Sequence, residues 1–278
     1  MVSGLRTRKR LGQHFLKDRS FATRIVNSIG IETGDLILEI GSGEGVLTEL
    51  LLKSSAEKVY GIEIDPRLCQ FLKERFREEK RFQLIEGDFL KFDIASICER
   101  RHGLRVAGNL PYYITSPILF HLLENRSWIR DLVATVQKEV GERLASLPNR
   151  KSYGVPSVLF QTYCDVKALF RIPGQAFFPV PEVDSVVLQI KFGRESKYSI
   201  KDEDLYKKIV KGTFNQRRKM LKNTLARLID DTSILDGIII DLSRRPESLS
   251  VMEFVTLSNE VSKQLEKGSL GGEKTSKK

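Results

Sequence analysis

Few residues of this sequence can form disulfides or bind metals. Its 278 residues include only three cysteines and three histidines. Cys69, Cys98 and Cys164 are odd in number and far apart, which is typical of reduced thiols rather than of a disulfide framework. The histidines have no spacing that metal ligands use, so we expect a chain without a bound metal.

Long apolar runs are missing as well. No window approaches the roughly 18 consecutive apolar residues that a membrane-spanning helix needs. The basic residues 6–10 lead into Leu11-Gly12-Gln13-His14 and not into the apolar core of a signal peptide. We therefore expect a cytoplasmic chain that does not interact with membranes.

Basic residues are in excess over acidic ones. Lys and Arg number 46, and Asp and Glu 36, which gives a formal net charge of +10. The excess favours an anionic partner such as nucleic acid, but a basic surface that merely keeps the protein soluble explains it equally well. The length and the hydrophobic fraction of 41% suit one large domain with an ordinary core and a smaller one beside it.

Short β-rich runs alternate with amphipathic segments through the first two thirds of the chain. In one such segment Val46, Leu47, Leu50 and Leu51 recur at helical spacing. The alternation predicts an α/β fold with a mostly parallel sheet that helices cover on both faces. Gly and Pro residues before the last run predict that this strand is antiparallel. The predicted strands cover residues 36–40, 59–62, 82–85, 105–107, 132–136 and 186–190.

The β pattern stops after residue 193, and residues 202–266 have the pattern of helices. Ser250 and Glu253 match a capping box at the start of the last helix. We therefore predict an α/β domain over residues 1–193 with a basic N-terminal arm, and a small all-α domain over residues 194–266. Residues 267–278 lack apolar side chains to bury, so we expect a disordered tail there.

Three successive strand ends carry residues suited to a nucleoside. The first runs into Gly41-Ser42-Gly43-Glu44-Gly45, where glycines allow a ligand to approach the backbone closely. Glu63 ends the next strand, where its carboxylate can accept hydrogen bonds from ribose hydroxyls. At the third end, Asp88 can hold an adenine amino group and Phe89 can pack on the ring. Strand ends often carry solvated polar residues, but three together predict a nucleoside site without a pyrophosphate.

The fourth strand ends in Asn109-Leu110-Pro111-Tyr112. The exocyclic nitrogen of adenine is a poor nucleophile because the ring delocalises its lone pair. An enzyme can restore its reactivity by accepting both N–H groups, for which the Asn109 side-chain oxygen and the Leu110 carbonyl are suited. Pro111 would fix the turn, and Tyr112 offers a face for the base. Alone, the segment is better explained as an ordinary strand-ending turn, but beside a nucleoside site it predicts methylation of adenine N6.

Residues 109–118 resemble the signature of the rRNA adenine N6-dimethyltransferases. The likeness extends almost end to end, through residues 11–16, 177–185 and 214–223. The resemblance implies a Rossmann-like class I methyltransferase domain with a seven-stranded sheet, S-adenosyl-L-methionine as cofactor, and a helical RNA-binding domain. It implies cofactor contacts from His14, Leu16, Gly41, Glu63, Asp88 and Asn109, to which our own reading adds Gly43 and Phe89. It also implies Phe177 as a second stacking face for the target base.

The resemblance is closest to the small-subunit branch of that family, which dimethylates two adjacent adenines in the 3′-terminal hairpin of 16S rRNA. Leu110 favours this branch, because the large-subunit resistance enzymes typically have isoleucine at that position. The expected partner is 16S rRNA in precursors of the small (30S) subunit, bound by a monomer with a role in subunit biogenesis. Two alternatives stay open: a large-subunit methyltransferase, and an assembly factor in which docking on immature subunits outweighs catalysis.

Two basic runs are candidates for RNA contacts. A charge run is usually only a solvated face, but these two flank the predicted site, so we favour binding to phosphates. They comprise Arg8, Lys9 and Arg10 in the N-terminal arm, and Arg217, Arg218, Lys219 and Lys222 on a predicted helix.

Overall fold

A computed structural model describes residues 8, 11–98, 103–193 and 195–272. The chain divides into two compact units, one formed by Met1–Gly141 with Cys164–Glu195 and the other by Glu142–Tyr163 with Ser196–Lys278. The first unit is therefore not the continuous stretch of residues 1–193 that the sequence predicts. No helix of the described residues is long and apolar enough to cross a membrane.

A seven-stranded sheet forms the centre of the first unit. The order of its strands is β4 (Phe82–Glu86), β3 (Lys58–Glu63), β2 (Leu36–Ile40), β5 (Leu104–Asn109), β6 (Ile129–Gln137), β9 (Ser185–Phe192) and β7 (Cys164–Ile172). All neighbouring strands are parallel except β9, which is antiparallel to both β6 and β7. The six predicted strands are confirmed, including the antiparallel one. Two further strands of the unit are β1 (Phe15–Leu16) and β8 (Phe177–Phe178).

Helices pack on this sheet through apolar stripes at helical spacing. The first helix buries Ala22, Ile25, Val26 and Ile29. The Asp18 side chain caps its start by accepting from the Ser20 amide, and Gly30 ends it in the left-handed region. These features place the helix against β6 and the helix after β2. The helices that follow the first strands are α1 (Arg19–Ile29), α2 (Val46–Leu52), α3 (Pro66–Arg75), α4 (Thr115–Glu124) and α5 (Lys138–Leu144).

Beside the main sheet, β1 and β8 form a two-stranded antiparallel ribbon in the first unit. Leu16 pairs with Phe177, and Phe15 with Phe178. Because side chains alternate along a strand, Leu16 and Phe177 are both buried, while Phe178 is 39% exposed.

The second unit is helical, as the sequence predicts, and consists mainly of α6 (Val155–Tyr163), α7 (Glu203–Phe214), α8 (Leu221–Leu225) and α9 (Val251–Gly272). Residues 142–163 belong to it because α6 packs on α7 and α9. The predicted capping box is confirmed: the Ser250 amide donates to Glu253 Oε2 at 2.8 Å, and the Glu253 amide to Ser250 Oγ at 3.2 Å.

The end of α9 corrects the predicted tail. The helix continues to Gly272, so residues 267–272 are helical and not disordered. Extending an existing helix costs far less than nucleating one, and α9 has been nucleated and capped well before this point. Residues 273–278 lie outside the described residues.

Candidate active site

A cavity lies at the carboxyl ends of β2, β3, β4 and β5. It is the position where ligands bind in open α/β sheets. Residues 11–14, which precede the ribbon, supply a further wall. The cavity brings together most of the predicted site: His14, Gly41, Gly43, Glu63, Asp88, Phe89, Asn109, Leu110, Pro111 and Tyr112 all line it. Leu16 lines a smaller adjoining cavity together with Gly41 and Gly43.

The glycine loop turns in backbone conformations that other residues rarely adopt. Gly41, Gly43 and Gly45 have φ of 72°, 55° and 75°. At Gly45 a Cβ atom would also lie 2.6 Å from the ring of Phe76. These two constraints explain why the loop needs glycine and how it runs close under the cavity.

Glu63 is held at the end of β3 by backbone donors. Its Oε2 accepts from the Gly43 amide at 2.9 Å, and its Oε1 accepts from the amides of Ile64 and Asp65 at 2.9 Å each. Burial raises the pKa of Glu63 in spite of these bonds. A carboxylate has further acceptor positions, so the oriented group can still accept from a diol in the cavity.

Asp88 and Phe89 follow β4 and are also fixed in place. Asp88 Oδ1 accepts from the Leu90 amide at 3.0 Å, which leaves its second oxygen suited to an amino group in the cavity. The Phe89 ring meets the ring of His121 edge to face, with 5.2 Å between centroids. Phe89 is therefore a firmly packed apolar wall of the cavity, as its predicted role requires.

Glu39, one residue before the end of β2, is a buried carboxyl group behind the glycine loop. It is 1% exposed, and Thr48 Oγ1 donates to its Oε2 at 2.5 Å. Burial is the main cause that raises the pKa of Glu39 to about 7. Between about pH 4.5 and pH 7 this group therefore keeps a proton that the unfolded chain has largely lost.

Replacing Glu39 by glutamine should flatten the pH dependence of stability. A raised pKa means that the folded protein binds more protons than the unfolded chain, so stability falls as pH rises from about 4.5 to about 7. Glu39→Gln cannot ionise, and it should gain up to about 3 kcal/mol over the parent above pH 7. Urea unfolding at pH 5 and pH 8 measures the difference. An equal change in unfolding free energy at both pH values would show that Glu39 is charged in the folded state.

Asn109 is the last residue of β5, and the nitrogen and oxygen of its side-chain amide have different surroundings. Its Nδ2 donates to the His14 carbonyl at 2.7 Å, which ties the segment of residues 11–14 to the sheet. Its Oδ1 is buried and has no hydrogen-bond partner among the described residues. A buried acceptor without a partner costs free energy, so its place beside the cavity points to a donor on a ligand.

The residues after Asn109 form the turn that the sequence predicts. The Leu110 amide donates to the Thr135 carbonyl at 3.1 Å, and the Leu110 side chain is buried. Pro111 has φ −59° and precedes a single turn of 3-10 helix over Tyr112–Ile114. The strand end and the turn thus hold the backbone of Leu110 in place where both Leu110 and Asn109 line the cavity.

Tyr112 stands between the cavity and a neighbouring open groove. Its hydroxyl shares a hydrogen bond of 2.5 Å with Ser185 Oγ, and its ring stacks on His14 with 5.2 Å between centroids. His14 Nδ1 lies 2.8 Å from the Pro179 carbonyl oxygen. Both rings line the cavity and the groove, whose far side consists of residues 179–183.

The structure corrects the prediction for Phe177. This side chain is 0% exposed and belongs to the apolar core of the first unit, so it offers no face to a base. The reason is the alternation along β8, which turns Phe177 inward opposite Leu16 and its neighbour Phe178 outward. Ser185 and Asp65 are contacts that sequence reasoning missed, because no local pattern indicates that they hold Tyr112 and Gln13.

Residues 4–263 match the family model described as ribosomal RNA adenine dimethylase. The chain belongs to this family. It is 43% identical over 256 residues to the ribosomal RNA small subunit methyltransferase A of Pseudomonas aeruginosa, which covers 92% of this chain and 95% of the relative. A crystal structure of a dimethyladenosine transferase from Plasmodium falciparum has a TM-score of 0.78 and 25% identity, covering 90% of this chain and 98% of that one. The 23S rRNA methyltransferase ErmE shares the fold, with a TM-score of 0.66 and 23% identity over 89% of this chain and 99% of that one.

The activity of this ribosomal RNA adenine dimethylase is therefore methyl transfer from S-adenosyl-L-methionine to adenine in rRNA. The cofactor, when bound, supplies a methyl group activated by a positively charged sulfur. The cavity fits it, since glycines line the wall, a buried carboxylate stands at the end of β3 and the Asn109 oxygen has no hydrogen-bond partner in the part of the chain that the structure describes. The predicted class I methyltransferase fold is confirmed by the seven-stranded sheet and by the related structures.

The residues predicted to contact RNA differ in their burial and in the element on which they lie. Arg8 is half-buried with Nη1 3.6 Å from Asp65, while Lys9 and Arg10 lie outside the described residues. In the second unit α7 ends at Phe214 and α8 begins at Leu221, so Arg217, Arg218 and Lys219 lie in the turn between two helices, while Lys222 lies on α8.

Within this turn, Arg217 has a structural role. Its Nε donates to Glu247 at 2.5 Å, and its Nη1 and Nη2 donate to the carbonyls of Lys151 at 2.6 Å and Arg150 at 2.9 Å. These bonds use three of the five N–H donors of the guanidinium, and the side chain is 33% exposed, so Arg217 stays a predicted RNA contact beside its structural role. Arg218, Lys219 and Lys222 are exposed.

Proposed function

We propose that this chain dimethylates the N6 amino groups of two adjacent adenines in the 3′-terminal hairpin of 16S rRNA in the small ribosomal subunit. The buried Oδ1 of Asn109, which has no partner among the described residues, is the observation that carries the proposal. The family, the similarity to a small-subunit methyltransferase and the leucine at position 110 support it further. Two N–H groups of an adenine would meet Asn109 Oδ1 and the Leu110 carbonyl.

In the proposed reaction the protein acts by alignment and by its dipoles. Accepting both N–H groups favours a pyramidal nitrogen whose lone pair is free to attack. The nitrogen would form a bond to the methyl carbon as the sulfur–carbon bond breaks, which leaves the sulfur as a neutral thioether and the nitrogen positively charged. Its proton would then leave to water. No general base is needed, and Tyr112 keeps a neutral phenol because burial raises its pKa. Its ring serves as a stacking face for the base.

The cofactor would be held by the residues that meet at the strand ends. Glu63 would accept from the ribose hydroxyls, Asp88 from the adenine amino group, and Phe89 would pack on the ring. Together with these three, the proposed cofactor contacts are His14, Leu16, Gly41, Gly43 and Asn109.

The proposal is tested with small subunits that lack the modification and with labelled S-adenosyl-L-methionine. Digestion of the rRNA and mass analysis of the nucleosides should show dimethyladenosine in 16S rRNA, at a ratio of two per subunit. Large subunits serve as the control substrate and should stay unlabelled. Label in 23S rRNA instead would refute the small-subunit assignment.

We also propose that the natural substrate is a precursor of the 30S subunit, bound in the cytoplasm by a monomer. One chain holds both the reacting residues and the exposed basic residues of the second unit, so it needs no second copy to engage RNA. The proposed phosphate contacts are Arg8, Lys9, Arg10, Arg217, Arg218, Lys219 and Lys222.

Removing three of these charges should weaken the salt dependence of binding. A variant with Arg218, Lys219 and Lys222 changed to glutamine should bind subunits with a log–log salt slope flatter by about 2 to 3, since each lost phosphate contact removes about one unit. Lys201, Lys208 and Lys263, which are exposed in the same unit, provide a control variant of equal net charge. Filter binding between 50 and 300 mM salt measures the salt slope of each of the two variants. An equal flattening in the two variants would indicate general attraction and no specific contact.

A further inference from the structure

The exposed ring of Phe178 is unexplained by the site described so far. Phe178 is 39% exposed on the β1–β8 ribbon, and it is absent from the residues that line the cavity and the groove. Its neighbour Val180 is 58% exposed and does line the groove. Adjacent apolar side chains exposed at a rim are typical of a surface that a partner covers.

A lysine lies over this ring. Lys17 Nζ is 5.7 Å from the centroid of Phe178, and Lys17 is itself exposed. The ribbon holds the backbone of both residues in place, because the Lys17 amide donates to the Ala176 carbonyl at 2.8 Å and Phe178 pairs with Phe15. An aromatic face with a cation beside it suits a nucleotide, since the ring can stack on the base and the ammonium can reach a phosphate.

The ribbon is linked directly to the reacting centre. Phe178 precedes Pro179, whose carbonyl oxygen lies 2.8 Å from His14 Nδ1, and the His14 ring stacks on Tyr112. Phe178 therefore lies outside the cavity but only a few contacts from the face that receives the target base. A base drawn out of its stack leaves its neighbour in the strand without a partner, so an aromatic group at this place can replace the lost stacking.

We propose that Phe178 and Lys17 bind the nucleotide adjacent to the target adenine, with the ring stacked on its base and the ammonium against its phosphate. The proposal rests on the proposed function in that the substrate is an adenine in an RNA strand. It requires no particular rRNA, so it can be tested on whichever subunit the enzyme methylates.

The kinetic test separates binding from chemistry. Phe178→Ala should raise KM for subunits about 5- to 100-fold, the range of one lost base–aromatic stack, with kcat and the KM for S-adenosyl-L-methionine unchanged. Phe178→Tyr keeps the ring and should restore KM, and Lys17→Gln should raise KM less than Phe178→Ala does.

Two variants at other positions of the same unit serve as controls. Leu169→Ala removes an exposed apolar group, and Arg24→Gln removes a guanidinium 4.0 Å from the centroid of the Phe170 ring. Both control variants should have the same KM for subunits as the parent. A Phe178→Ala variant that also keeps the KM of the parent would overturn the proposal.

A photo-crosslink locates the contact. The enzyme with p-benzoylphenylalanine at position 178 should crosslink within two nucleotides of the methylated adenine, as mapped by reverse-transcription stops. The same residue placed at position 169 should give no stop there. Crosslinks only to remote nucleotides would overturn the proposal even if 16S rRNA is the substrate. Conversely, an adjacent crosslink in 23S rRNA would support this contact while refuting the small-subunit assignment.

Discussion

Replacing Asn109 by alanine should reduce kcat for methyl transfer about a hundredfold to a thousandfold while leaving the affinity for small subunits unchanged. The lost oxygen is the buried acceptor without a partner among the described residues, and removing one preorganised dipole at a reacting centre typically has this effect. Single-turnover methylation with saturating S-adenosyl-L-methionine measures the chemical step. Filter binding of the same variant to unmethylated subunits measures docking.

Two further variants separate the roles of this side chain. Asn109→Asp keeps an acceptor but loses the donor to the His14 carbonyl, so it should retain more activity than alanine and bind the cofactor more weakly. Thr135→Val is a control on the neighbouring strand, because Thr135 pairs with Asn109 and its buried hydroxyl has no partner among the described residues. This control should keep full activity. Equal rates for Asn109→Ala and the parent would show that the Asn109 oxygen takes no part in methyl transfer.

Replacing Arg105 by methionine should destabilise the protein by about 3–5 kcal/mol, because it leaves buried carboxylates without their partner. Arg105 is 4% exposed; its Nη2 lies 2.6 Å from Asp131 and its Nη1 2.9 Å from Asp35. The same guanidinium donates to the carbonyls of Ile29 and Gly30 at the end of α1. The substitution therefore leaves the buried carboxylates of Asp131 and Asp35 without the Arg105 guanidinium. It also removes the hydrogen bonds to the carbonyls at the end of α1. The midpoint of urea unfolding measures the loss.

Arg130 provides the matched control for this prediction. Its side chain is 43% exposed and lies 3.5 Å from Asp35, so Arg130→Gln removes a solvent-screened ion pair on the same carboxylate. The expected loss is at most about 1 kcal/mol. A loss for Arg105→Met that is no larger than this would show that water reaches the cluster.

The sequence was sufficient for features that depend on local pattern. The strand ends that carry Glu63, Asp88 and Asn109 could be placed because parallel strands bring their carboxyl ends to one edge of the sheet. The capping box at Ser250 was readable because both of its hydrogen bonds are local in sequence. Such features need no knowledge of how distant segments pack.

Features that depend on distant contacts were missed or misassigned. Strand β7 was not predicted as a separate strand because it lies at the edge of the sheet, where exposed residues interrupt the apolar pattern. Phe177 and Phe178 are chemically identical, and only the pairing of β8 with β1 determines which ring is buried. Arg217 looked like its basic neighbours until the fold placed Glu247 and two carbonyls around it.

Strand β5 carries the stability cluster and the reacting residue within six residues, Leu104–Asn109. Arg105 stands near its start and Asn109 at its end, about 13 Å apart along an extended backbone. The cluster at Arg105 joins two carboxylates to two guanidinium groups and has no net formal charge, so its field at Asn109 is weak. The two ends of β5 therefore have separate tasks: the cluster at Arg105 stabilises the fold, and Asn109 serves the proposed reaction.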